Sequence, residues 1–132
     1  MNILEKILDK ITPKLEVLKE VRINFEESEF PENLISVIEN DKYKVIDQSK
    51  KKILILVSGL TIGAVDFGAL LKNNPSFEKL NKVKSKISIS INKGSLLCCS
   101  FEHIIATKKE KEVFTEILQK RLDFIIDRIN DY

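Results

Sequence analysis

The sequence predicts an α+β fold in which an antiparallel sheet carries an N-terminal and a C-terminal helix on one face. Three patterns predict it. Near the C-terminus Val113, Phe114, Ile117, Leu118, Leu122, Ile125, Ile126 and Ile129 trace one apolar stripe at helical spacing, with Glu112, Glu116, Gln119, Lys120, Asp123 and Asp127 outside it. Ile87, Ile89 and Ile91 alternate with Ser88 and Ser90, and Asn92-Lys93-Gly94 turns the chain into residues 95–101, which is hairpin patterning. At the other end Ile3, Leu4, Ile7, Leu8 and Ile11 repeat at helical spacing against Asn2, Glu5, Lys6, Asp9 and Lys10. Two amphipathic helices around short-linked strands bury their apolar stripes most economically by sharing one sheet face.

Taken in order, residues 2–11 form the first helix, which Pro13 breaks, with Thr12 placed to cap. Val21, Ile23 and Phe25 alternate with Arg22, Asn24 and Glu26, predicting a half-buried strand near residues 20–27. Pro31 opens a helix over residues 31–39 with Leu34, Ile35 and Ile38 inward, and Asn40-Asp41 ends it. Residues 42–47 and 52–58 read as paired strands around Gln48-Ser49-Lys50-Lys51, a loop long enough to leave their register open. Asn73-Asn74-Pro75-Ser76 signals a turn, and residues 77–84 read as a further strand before the hairpin.

Composition narrows the function classes. With 132 residues and 43% hydrophobic content the chain fits one domain over 1–132 with a single core. Its 22 basic and 20 acidic residues give a formal charge of +2, too balanced for general attraction to nucleic acid. Apolar runs stay well short of the ~20 residues that span a bilayer, and no leader pattern opens the chain, so a cytoplasmic protein is expected. The adjacent Cys98 and Cys99 point to opposite faces of a strand and read as reduced thiols, the inward one a small core residue.

No reactive constellation emerges. Four strand residues separate Cys99 from His103 by roughly 13 Å, too far for a nucleophile and its base. His103, without further His or Cys partners, makes no zinc set, and the carboxylates are scattered on solvent faces. The spacing of Gly59 and Gly63 satisfies no phosphate-binding fingerprint. No catalytic residue, metal or cofactor is therefore expected.

The two glycines instead frame Val57-Ser58-Gly59-Leu60-Thr61-Ile62-Gly63-Ala64 at the end of the apolar run from Ile53, where the backbone must bend or approach something closely. This segment resembles the profilin stretch in which a strand runs into Asn-Gly-Leu-Thr-Leu-Gly-Gly. The late hairpin, the long terminal helix ending at Tyr132 and the helix at residues 2–11 are similar to profilin in element order. The chain thus looks like a divergent profilin, of an archaeal type.

That resemblance implies a profilin-like sheet and a monomeric, cytoskeleton-associated protein that binds an actin monomer and regulates its polymerisation. Carried across, the actin surface comprises Lys72 near the end of the segment after Gly59-Leu60-Thr61, Lys82 and Lys84 on the following strand, and Lys108, Lys109, Lys111, Glu112, Thr115 and Glu116 around the last helix start. Basic and polar groups there would meet an acidic partner, steering encounter and orientation. The family's polyproline surface maps onto Ile3, Phe124 and Tyr132; without any Trp, binding there is expected to be weak or absent. Phosphoinositide lipids would meet Lys50-Lys51-Lys52 and the Lys79, Lys82, Lys84 and Lys86 group. The alternative is a roadblock- or longin-like dimerising scaffold for membrane or GTPase complexes, which also joins a sheet to helices. A sterol-carrier-like lipid carrier is a third reading and needs an open apolar cavity.

Overall fold

The computed structural model describes residues 13–23, 26, 28, 30–58 and 79–132. The described elements run β1 (Lys14–Arg22), α1 (Glu32–Ile38), β2 (Tyr43–Gln48), β3 (Lys52–Val57), β4 (Ser85–Asn92), β5 (Ser95–His103) and α2 (Lys108–Asn130). The strands form one sheet in the order β1-β5-β4-β3-β2 with every neighbouring pair antiparallel. The α+β class holds. The helix at residues 2–11, the Gly59–Gly63 segment and the turn at residues 73–76 lie outside the described residues.

Alternation separates the two faces. Ile53, Ile55 and Val57 of β3, Ile87 and Ile89 of β4, and Leu96 and Cys98 of β5 are fully buried on the inner face. Leu34 and Ile38 of α1 and Leu122, Ile125, Ile126 and Ile129 of α2 complete the same core, so both helices cover that face. The whole stripe expected in α2 is buried. The Arg128 Nε donates to the Val37 carbonyl at 2.6 Å, tying α2 to α1.

The turns explain the hairpins. Lys93 (φ 26°) and Gly94 (φ 81°) join β4 to β5 in the left-handed region that tight hairpins require. Asn40 Oδ1 accepts from the Lys42 and Tyr43 amides at 2.8 and 3.0 Å, ending α1 and launching β2. The β2–β3 register, open in sequence, is set by Tyr43 opposite Val57 and Val45 opposite Ile55, with an irregularity between Val45 and Asp47.

Two expectations are corrected. The early strand spans Lys14–Arg22 rather than residues 20–27. Its nine residues pair along β5 from Lys14 opposite His103 to Arg22 opposite Ser95. Lys19, exposed at an inward position of this edge strand, breaks the apolar alternation that would have revealed it. The strand expected at residues 77–84 is, in its described part, a helical turn at residues 79–81 followed by irregular backbone. Burial of Leu80 beneath α2 and the bonds from the Lys82 and Val83 amides to the Lys79 and Leu80 carbonyls curl this segment. Lys82 and Lys84 accordingly precede β4 and do not lie on a strand.

Candidate docking surface

The start of α2 is built by Thr107. Its Oγ1 accepts from the Glu110 amide at 3.2 Å while Glu110 Oε1 accepts from the Thr107 amide at 3.1 Å, a reciprocal capping box. The Thr107 backbone bond, then its side-chain bond, hold the Glu110 carboxyl below the ordinary carboxylate range, and Lys79 adds to this. The helix therefore opens at Lys108 with Lys108, Lys109, Glu112, Thr115 and Glu116 exposed and Lys111 half-buried. Thr115 Oγ1 donates to the Lys111 carbonyl at 2.8 Å.

Residues 79–85 run alongside α2 from Glu110 to Arg121. Lys79 lies within electrostatic reach of Glu110, and Leu80 packs with Val113, Phe114, Ile117 and Leu118. Arg121, fully buried, donates through Nη1 to the Val83 carbonyl (2.9 Å) and Ser85 Oγ (2.7 Å), and through Nη2 to the Asn81 carbonyl (2.8 Å). Burial pushes its pKa down to about 10. This guanidinium escaped the sequence reading, although its position four residues after Ile117 inside the apolar stripe was a visible signal.

Lys79, Lys82 and Lys84 thus belong to a segment packed along α2, whose first turn carries Lys108, Lys109 and Lys111; these lysines together make up the candidate strip. Along the helix the strip extends about 16 Å, eleven residues at the α-helical rise. Lys72 lies outside the described residues. Lys50 and Lys51 lie in the β2–β3 turn and Lys52 opens β3.

Of the residues proposed for polyproline, Ile3 lies outside the described residues. The Phe124 ring packs against Tyr43, centroids 4.7 Å apart, with the Arg128 guanidinium above it. Tyr132, 42% exposed, instead borders an open groove of about 330 Å³ with Val37, Arg128 and Asp131.

The second face of the sheet is covered by neither α1 nor α2. Leu18 and Leu97 are 57 and 48% exposed there. Lys14 sits 4.8 Å over the Phe101 ring and pairs with Glu16 at 3.4 Å. At the centre Cys99 Sγ donates to Glu16 Oε2 at 3.6 Å. Both cysteines are free; burial pushes Cys98 up to about 12 and, with the Glu16 bond, Cys99 up to about 11. Cys98 is the inward core thiol. His103 ends β5 on the outer face opposite Lys14.

Among the described residues no group of three or more His, Cys, Asp or Glu is placed to hold a metal ion. No helix among them is long and apolar enough to cross a membrane. Comparison with protein-family models, with curated proteins and with solved structures returns no match.

Proposed function

We propose that this chain is a docking module without catalytic chemistry of its own, offering the lysine strip beside α2 to an acidic protein surface. The observation that carries the reading is the double anchorage of residues 79–85, by Leu80 in the core and by the three Arg121 hydrogen bonds. These bonds fix the backbone that carries Lys79, Lys82 and Lys84 against the helix that carries Lys108, Lys109 and Lys111, and a pre-organised backbone presents charge to a partner with little loss of loop freedom. The resemblance of residues 57–64 to profilin names an actin monomer as that partner, with control of its polymerisation as the outcome.

Calorimetry against monomeric actin, paired with pyrene-actin assembly, tests this. Stoichiometric protein should delay assembly, and the combined variant Lys82→Glu, Lys84→Glu, Lys108→Glu, Lys111→Glu should relieve the delay. Unchanged kinetics at large excess, with no heat of binding, would remove actin from the reading. Anionic phosphoinositide vesicles are the companion probe: sedimentation with them, abolished by the same variant, would direct the strip to a lipid surface. The dimerising scaffold is the second reading, and the exposed Leu18 and Leu97 on the sheet face that neither α1 nor α2 covers favour it.

A further inference from the structure

We propose that the outer edge of β1 accepts an extended segment of a partner protein, which joins the sheet as an added strand. The inference stands on the two sheet edges and not on the lysine strip. β1 and β2 are the outermost strands, so each leaves one side of its main chain unpaired within the sheet. The bonds that flank them say which groups point outward. At the ends of β1 the Ile104 amide donates to the Pro13 carbonyl and the Ile23 amide to the Gly94 carbonyl, both in register with the β5 pairing. Odd-numbered residues therefore bond β5, and the amides and carbonyls of Lys14, Glu16, Leu18, Glu20 and Arg22 face away from the sheet. At the ends of β2 the Ser58 amide donates to the Lys42 carbonyl and the Ser49 amide to the Lys52 carbonyl. By the same alternation Tyr43, Val45 and, beyond the irregularity, Gln48 face away from β3.

The two edges are finished differently. On β2 these three amides are taken by side chains: Tyr43 donates to Asn40 Oδ1 at 3.0 Å, Val45 to Glu39 Oε2 at 3.0 Å and Gln48 to Asp47 Oδ1 at 2.9 Å. The Tyr43 carbonyl also accepts from the Asn40 amide at 3.0 Å. β2 is thereby closed to another strand. On β1 none of the outward amides meets an acceptor among the described residues, and Lys14, Glu16, Leu18, Glu20 and Arg22 are all exposed. Nine residues at about 3.3 Å each make this edge about 30 Å long. Donors and acceptors alternating along an extended edge are matched by another extended main chain.

Side chains narrow the occupant. On the face that carries α1 and α2, β1 presents Leu15, Val17, Lys19 and Val21. Leu15 and Val17 are half-buried against the core beneath α2, and Val21 is buried. Lys19 is exposed between these apolar neighbours, and the ion pairs among the described residues leave it out. An added strand with apolar residues opposite Leu15, Val17 and Val21 and an acid opposite Lys19 suits all four positions. A second copy does not. The three longest antiparallel self-pairings that join outward residues are centred on Val17, Leu18 or Lys19, and they set Lys19 against Leu15, Val17 or itself. The one centred on Leu18 also sets Glu16 against Glu20 and Lys14 against Arg22. Lys19 thus selects against the chain itself and for an acidic, otherwise apolar strand.

Amide hydrogen exchange of the full chain, read by NMR with a capped nine-residue peptide titrated to about 1 mM, tests the proposal. The peptide alternates threonine and valine, with aspartate in place of the valine that falls opposite Lys19. Saturable binding should protect the amides of Glu16, Leu18 and Glu20 and leave those of Tyr43, Val45 and Gln48 unchanged. The same peptide N-methylated on the amides that face β1 should not bind. Lys19→Glu, at an exposed position, should weaken binding about fivefold, and lysine in place of the peptide aspartate should restore it on that variant. Absence of protection at β1, protection at β2 instead, or equal binding by the N-methylated peptide overturns the proposal. So does a Lys19→Glu variant that binds the aspartate peptide as tightly as wild type. Concentration-dependent protection of the same β1 amides without peptide would assign the edge to a second copy and overturn it too.

Discussion

Replacing Arg121 with Met should loosen the lysine strip and the domain together. The side chain is fully buried and makes three hydrogen bonds of 2.7 to 2.9 Å, two to main-chain carbonyls and one to Ser85. Met preserves the apolar stem but leaves all three acceptors without this donor, at about 1–3 kcal/mol each. Part of this is offset, because the variant no longer buries a cation whose desolvation holds its pKa down near 10. The expected net loss is about 2–4 kcal/mol. At a urea m-value of about 1.5 kcal/mol/M, that lowers the unfolding midpoint by about 2 M. Arg121→Lys keeps the charge without the planar fork and should recover less than half of the loss. A midpoint for Arg121→Met within experimental error of wild type would refute the anchoring role. Full recovery in Arg121→Lys would show that charge alone, not the three-acceptor geometry, holds the segment.

Three further outcomes follow from the same structure. The Cys98 thiol ionises near 9 when unfolded and near 12 when folded, so folding favours its protonated form. Its stabilisation is complete below pH 9 and falls by about 1.4 kcal/mol per pH unit between 9 and 12, which alkaline urea titrations of wild type against Cys98→Ala would register. Thr107→Ala removes the capping box and should cost about 1 kcal/mol by urea denaturation at neutral pH. Since Glu110 is held below its ordinary value, the difference between wild type and Thr107→Ala should narrow as pH falls below 4.5. Gly94→Ala meets no atom within 4 Å but places a side chain at φ +81°, so thermal unfolding should report a loss of about 1 kcal/mol from backbone strain alone.

Local periodicity carried the elements whose partners lie close in sequence. The stripe from Val113 to Ile129, the isoleucine alternation of β4 and the Lys93-Gly94 turn each state their own structure within a few residues, because helix and hairpin geometry repeat over that distance. The lysines at positions 82, 84, 108, 109 and 111 are singled out only through the resemblance to profilin.

The packing of their two segments against each other is not legible there, because it depends on contacts between distant segments. Pairing of Lys14 with His103 spans most of the described chain, and only that register moves the early strand to Lys14–Arg22. Residues 79–81 carry no strong local preference, so burial of Leu80 and the pull of Arg121 decide their conformation. Alternation divides each strand into two faces without saying which face the helices take. Packing of α1 and α2 on the isoleucine side settled that, leaving Leu18 and Leu97 exposed, since a sheet's partner layer is chosen by total buried area rather than by any one strand's pattern.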